Sequence, residues 1–224
     1  MVSMVAAAIA PGFALLCFFY LKDRYESEPI SMVLRTFLFG ALLVFPVMFI
    51  QYAFQFEGIL QAPFVKAFVL SGTLEEFLKW FILYYTAYQH VEFNERYDGI
   101  VYGVAVSLGF ATAENFFYLY AYGIDEAFWR ALLPVSSHAL FGVIMGYYLG
   151  KAKFFTTASR QRRFVWISLL AAVLLHGVYD YILFVYEHWV SVMIPFMLYL
   201  WWSSLRKVKL AHRDQRPAND AGIM

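Results

Sequence analysis

Six ionisable side chains lie inside strongly apolar stretches of the sequence. They are Glu75, Glu76, Glu114, His138, His176 and Asp180. An acid at the centre of a bilayer costs about 3 kcal/mol on insertion scales, so such residues usually line a functional interior. Carboxylates and imidazoles activate water by general acid–base catalysis, and they also bind metals or relay protons. The residue types therefore indicate a buried chemical site.

The spacing of these residues follows the helical repeat. In GTLEEFLKW, Glu75 and Lys79 are i and i+4, so the lysine is expected to neutralise one carboxylate. The neighbouring Glu76 would then point about 100° away around the helix, which separates the roles of the two glutamates. In HGVYD, His176 and Asp180 are also i and i+4, so Asp180 is expected to orient or charge-stabilise His176.

The composition excludes an ordinary soluble domain. Of the 224 residues, 62% are hydrophobic and only 15% are charged, which leaves too few polar residues to cover a water-facing surface. The net charge of +1 gives no support to nucleic-acid binding. Cys17 is the only cysteine, so neither an internal disulfide nor a cysteine metal cluster is possible.

Apolar runs near bilayer length predict an all-α polytopic membrane bundle rather than a barrel, because the runs are long and lack period-two alternation. Seven spans are predicted, at 4–21, 33–56, 64–88, 100–122, 131–150, 164–186 and 189–205. Six spans are the alternative, since little more than Glu187 and His188 joins the last pair. One transmembrane domain, 1–205, is followed by a basic, partly disordered tail, 206–224.

The distribution of cations predicts the orientation. With the N-terminus outside and the C-terminus in the cytoplasm, only Lys66 and Arg130 among the loop and tail cations fall outside, as the positive-inside rule favours. Counting about 1.5 Å per helical residue from the outer ends then places the six residues about 9 to 18 Å deep. They converge on one layer in the outer half of the membrane. Glu114 would act there directly or pair with Lys79.

Longer stretches around these residues carry a family resemblance. They are APGFALL, YLKDRYESEP, GTLEEFLKWFI, YDGIVYGVAVSLGFATAEN, RALLPVSSHALFGVIMGYYLGKA, LLHGVYDYIL and LWWSSLRK. Together they resemble the PrsW family of membrane proteases, which make the first cut in anti-sigma factors, over nearly the whole chain. The family is distantly similar to the CAAX-prenyl-protease and bacteriocin-processing superfamily, which also pairs two glutamates with later membrane histidines.

The resemblance implies a membrane-embedded endopeptidase and a role for each residue. One of Glu75 and Glu76 would act as general base on water, while His138 and His176 assist or stabilise the oxyanion. The implied supporting residues are Lys79, Glu114, Asn115 and Asp180. This favoured mechanism requires no metal.

A zinc-dependent version of the same protease stays open. The distant superfamily has asparagine where this chain has Asp180, and an ionised aspartate cannot donate to an oxyanion. Asp180 is better suited to orient a metal-ligating His176, and His138 and His176 with Glu76 or Glu114 can form an open zinc site. The HExxH pattern is absent, so the ligands would come from separate helices.

The resemblance also implies a substrate and a place of action. The expected substrate is a single-pass anti-sigma factor, cut on the extracytoplasmic side of the bacterial cytoplasmic membrane. A site-2 protease would act on the product, as in regulated proteolysis during a stress response. Two other classes fit the buried residues: a proton-coupled transporter or channel, which would more naturally show an inverted repeat, and a non-catalytic scaffold.

Overall fold

The computed structural model describes residues 2–214, which form helices and connecting loops and contain no strand. We number seven helical segments α1 to α7. They are α1 (Val2–Tyr20), α2 (Ile30–Phe56), α3 (63–88), α4 (Asp98–Tyr122), α5 (Ile124–Lys153), α6 (Ala158–Val185) and α7 (Trp189–Arg213). The predicted all-α class is confirmed.

Five of these segments are long and apolar enough to cross a membrane: α1, α2, α4, α5 and α6. The α3 segment carries Glu75, Glu76 and Lys79 in its middle, and the last turns of α7 carry several cations. Helix α7 continues to Arg213, beyond the predicted span end at 205. The rest of the predicted tail, 215–224 with Arg216, lies outside the described residues. The predicted number of spans and the orientation remain predictions.

The centre of the bundle is the pair α4 and α5. Residues 98–112 of α4 and most of 135–152 in α5 are buried, although neither stretch is strongly amphipathic. Helices α1 and α2 cover one side of α4, α6 packs on α5 and on the first half of α3, and α7 packs on α5. Outward-facing leucines such as Leu42 and Leu170 are exposed, as expected where lipid is the solvent.

Glycines allow α4 and α5 to approach closely. A Cβ atom added at Gly103 would lie 2.5 Å from the carbonyl oxygen of Gly142, and one added at Gly142 would lie 2.5 Å from that of Gly103. Small residues drive such contacts in membranes, where burial of apolar surface contributes little to association between helices. His138 lies one turn before Gly142 and Glu114 lies three turns after Gly103, so this contact fixes their separation.

Two π-helical segments precede the buried ionisable residues. Lys66–Thr73 in α3 ends just before Glu75, and Ala131–Val135 in α5, which contains Pro134, ends just before His138. A π turn shifts the angular position of every side chain that follows it, and such turns often mark functional sites. These two segments set the direction in which the following side chains point.

Gly142→Ala is expected to destabilise the protein, because its Cβ would collide with the backbone of α4. Overpacking of this kind costs about 1–3 kcal/mol. Helix propensity alone predicts the opposite sign, a gain of about 0.5–1 kcal/mol. Thermal unfolding in detergent distinguishes the two, with the lipid-facing Leu170→Ala as the control. An unchanged or raised unfolding midpoint for Gly142→Ala would contradict the close-contact interpretation.

Candidate active site

Lys79 lies at the centre of the buried cluster. Its Nζ atom is 3.2 Å from Glu75 Oε2, 2.8 Å from Glu76 Oε1 and 3.2 Å from Nδ1 of His138. The ammonium is 0% exposed and also lies 4.0 Å from the ring centroid of Phe110. The prediction that Lys79 neutralises only one glutamate is therefore wrong, because it binds both. Its long side chain reaches the i−3 and the i−4 position at once.

His176 reaches the same cluster from α6. Its Nδ1 lies 2.9 Å from Glu76 Oε1, while its Nε2 lies 3.9 Å from Glu75 Oε2 and 3.7 Å from Asp180 Oδ2. The two longer distances exceed hydrogen-bond length, so Asp180 acts on His176 through its charge. The structure thus brings His176, Glu75, Glu76 and Asp180 together at one site, as the sequence predicted.

Glu114 and Asn115 approach from α4 and contact Arg130. Glu114 Oε2 is 3.3 Å from Arg130 Nη2 and 3.5 Å from His138 Nε2, so Glu114 pairs with these groups rather than with Lys79. Arg130 Nε donates to Asn115 Oδ1 at 2.9 Å, and the Asn115 amide donates to the Ala8 carbonyl at 3.1 Å. Asn115 therefore supports Arg130 and does not touch the central cluster.

Two residues of the site were missed by sequence reasoning. Arg130 was assigned to the outer flank as a loop cation, yet its guanidinium turns inward to Glu114 and lies 4.0 Å from the ring centroid of Tyr118. Gln51 donates to Glu75 Oε1 at 3.1 Å from the middle of α2. The sequence signal for Gln51 is an amide within the apolar run 33–56, which also carries Gln55 near its end.

A cavity of about 220 Å³ opens beside this cluster. Its wall separates the two adjacent glutamates, because Glu75 lines the cavity and Glu76 does not. Glu76 is 0% exposed, and its Oε2 is buried without a hydrogen-bond partner. The other lining residues are Gln51, Ser71, Glu114, Arg130, Pro134, Ser137, His138, His176, Tyr179, Asp180, Leu183 and Phe184. The cavity thus places three acids (Glu75, Glu114 and Asp180), two histidines and an arginine around a space for a small group.

The donor atoms of the cluster fit a zinc-like ion. Among the described residues, Glu75, Glu76, His138 and His176 each offer one ligand atom within 4.8 Å of the others. Imidazole nitrogens and carboxylate oxygens are zinc ligands. Glu76 Oε2 has no hydrogen-bond partner, so it is available to coordinate an ion. Glu114 is not part of this set. Lys79 contacts three of the four residues and would compete with an ion for their charge.

Comparisons with known proteins agree on one family. Residues 28–203 match the sequence model described as "PrsW family intramembrane metalloprotease". The chain is 58% identical to the protein called Protease PrsW in Geobacillus kaustophilus, over 97% of this chain and 96% of that protein. It is 55% identical to the one in Bacillus subtilis, over 94% and 96%, and 34% identical to the one in Clostridioides difficile, over 84% and 82%. No solved structure matches the chain.

Lys79→Met is expected to lower the free energy of unfolding, because two buried carboxylates would lose their shared cation. Breaking a buried ion pair from one side costs about 3–5 kcal/mol. Adding Glu76→Gln to Lys79→Met should recover part of this loss, since one uncompensated charge is removed. Thermal or denaturant unfolding of the two single variants and the double variant measures the coupling. Additive effects would contradict the central role of Lys79.

Proposed function

Since the chain belongs to the PrsW protease family and is a membrane-embedded peptidase, we propose that it cuts its substrate at the cavity beside Glu75. The observation that carries this proposal is the convergence of Glu75, His138, His176 and Arg130 on one cavity of the bundle. Membership of a peptidase family favours hydrolysis over the transporter and scaffold alternatives.

Glu75 is the proposed general base. Its carboxylate faces the cavity, whereas Glu76 lies behind it, so only Glu75 reaches a water molecule placed there. Gln51 holds Oε1 and Lys79 holds Oε2, which fixes the carboxylate toward the cavity. Glu75 takes a proton from the attacking water and then passes it to the leaving amine as the peptide bond breaks.

In the metal-free version, the two histidines and the arginine on the cavity wall are the proposed oxyanion stabilisers. The rings of His138 and His176 lie next to each other in an edge-to-face arrangement, with centroids 5.1 Å apart. Arg130 adds a permanent positive charge, held in place by Glu114 and Asn115. Donors fixed before the reaction stabilise the developing negative charge without further reorganisation.

The proposed metal ligands are His138, His176 and Glu76, with Asp180 as the outer carboxylate beside His176. A bound zinc-like ion would polarise the scissile carbonyl as a Lewis acid. The family description and the donor set favour this version over the metal-free mechanism expected from the sequence. The proton transfer by Glu75 is the same in both versions.

The proposed substrate is a single-pass anti-sigma factor in the bacterial cytoplasmic membrane. The first cut falls on the extracytoplasmic side, and a site-2 protease then acts on the product. The family resemblance and the position of the cavity support this proposal. Arg130, Pro134 and Phe184 line it and lie near the start of α5 and the end of α6, on the side that the positive-inside rule assigns to the exterior.

Glu75→Gln is expected to reduce the rate of substrate cleavage by about 10²–10⁴-fold, because the amide cannot accept the proton of water. Its similar size and the retained contact with Lys79 should preserve the fold. The rate is measured with a single-pass anti-sigma factor in proteoliposomes. The matched control is Glu126→Gln, which removes an exposed acid from the start of α5.

Cleavage by Glu75→Gln at the wild-type rate would show that Glu75 is not the base. Mapping the product ends by mass spectrometry tests the membrane side independently. A cut in the cytoplasmic half of the substrate helix would contradict the proposed orientation but not the catalytic assignment.

Metal content separates the two mechanisms. Purified wild-type protein is expected to retain one zinc-like ion per chain, measured by elemental analysis, and to lose cleavage when a chelator removes it. His176→Ala and Glu76→Gln should lose the ion as ligand variants. Glu75→Gln should keep the ion while losing cleavage. Chelator-resistant cleavage by metal-free protein would contradict the ligand assignment and leave the metal-free use of Glu75.

A further inference from the structure

A second cavity lies at the end of the bundle where α1 and α7 finish. Its volume is about 540 Å³, compared with about 220 Å³ for the candidate active-site cavity. It forms between the loop after α1 and the last turns of α7. Four cations line it, namely Lys22, Arg24, Lys209 and Arg213, and none of the described lining residues is acidic. This charge pattern selects an anion.

The neighbouring acids Asp23, Glu26 and Asp214 do not line this cavity. Both carboxylate oxygens of Asp23 are buried, and burial raises the pKa of Asp23, which disfavours its charged form. Glu26 accepts from the Asn94 amide at 3.5 Å. Asp214 lies 3.2 Å from Arg96 Nη1 and 3.8 Å from Arg213 Nε, so it offsets part of the charge of Arg213. Within residues 2–214, Lys22, Arg24 and Lys209 form no ion pair with Asp23, Glu26 or Asp214.

The cavity also has an apolar wall that continues toward the bilayer. Leu205, Val208 and the ring of Tyr25 line it beside the cations. About one turn deeper in α1 lies Phe18, which is 40% exposed, and its ring centroid is 6.4 Å from that of Trp201 in α7. The cations thus lie where an anionic headgroup would bind, and the apolar residues lie deeper, where the acyl chains of the same phospholipid would lie.

The walls of the cavity are fixed before any ligand binds. The Tyr25 hydroxyl donates to the His212 carbonyl at 3.3 Å, which ties the loop to α7. The His212 ring is stacked on Tyr97 with centroids 4.3 Å apart, and the Tyr97 hydroxyl donates to the Phe19 carbonyl at 2.7 Å. These contacts connect the end of α1, the start of α4 and the end of α7, so the backbone that carries the cations is held in place.

We propose that this cavity binds the phosphate headgroup of an anionic phospholipid, with the acyl chains lying along Phe18 and Trp201. Basic pockets between membrane helices bind such headgroups, because the cations neutralise the phosphate and the apolar wall holds the glycerol and first methylenes. Free phosphate shares the headgroup chemistry but makes no use of the apolar wall. The bound lipid bridges the ends of α1 and α7.

The test measures thermal unfolding of the full-length protein in neutral detergent during titration with phosphatidylglycerol. Phosphatidylcholine is the zwitterionic comparison, and inorganic phosphate is the headgroup without chains. Phosphatidylglycerol should raise the unfolding midpoint, whereas the other two should have little effect. Native mass spectrometry, which counts retained lipids, provides a second readout that does not depend on stability.

Two double variants distinguish a built site from diffuse attraction. Arg24→Gln with Lys209→Gln removes two exposed cavity cations and should weaken phosphatidylglycerol binding by about tenfold or more. Arg160→Gln with Arg162→Gln removes two exposed cations at the start of α6, at the same end of the bundle, and should leave phosphatidylglycerol binding unchanged.

Equal weakening in both double variants would overturn the proposal in favour of general surface charge. An equal rise of the midpoint with phosphatidylcholine would overturn the requirement for an anion. An equal rise with inorganic phosphate would overturn the assignment to a lipid. The candidate active site contains none of these residues, so the outcome is independent of the proposed protease function.

Discussion

A charge in the low-dielectric interior of a membrane protein has to be paired, and the Lys79 ammonium meets this requirement for several groups at once. It contacts Glu75 and Glu76 on its own helix and His138 on α5. His176 then joins from α6 through Glu76. Removing Lys79 leaves two buried carboxylates without their shared cation. The positions of three helices are thereby coupled to the protonation and charge of one small cluster.

The same ion pairs give the adjacent Glu75 and Glu76 different surroundings. Glu76 is enclosed by Lys79 and His176, while Glu75 keeps one face on the cavity with Gln51 at its other oxygen. Adjacent positions on a helix differ by about 100° in direction, which is enough to put one carboxylate in the cavity wall and the other behind it. On the proposed mechanism, the double glutamate provides both the general base, Glu75, and a metal ligand, Glu76.

Sequence reasoning predicted the all-α fold and the cluster because both depend on simple local rules. Apolar run length indicates membrane helices, and acids inside those runs indicate a site. It did not predict that Lys79 binds both glutamates, since this depends on the conformation of a long side chain. Arg130 and Gln51 were missed because the packing of α2 and of the start of α5 decides where these side chains point, and hydrophobic periodicity does not report packing. The extension of α7 past Leu205 was missed because its cations mark the membrane surface rather than the helix end.

The glycine contact between α4 and α5 has a consequence for how a polypeptide reaches the cavity. With backbone against backbone at Gly103 and Gly142, these two helices leave no seam through which a substrate helix could slide. The π-helical stretch of α3 lies on the other side of the bundle, packed against α6. If the substrate is a transmembrane helix, as proposed, its path to the cavity therefore lies away from the contact between α4 and α5.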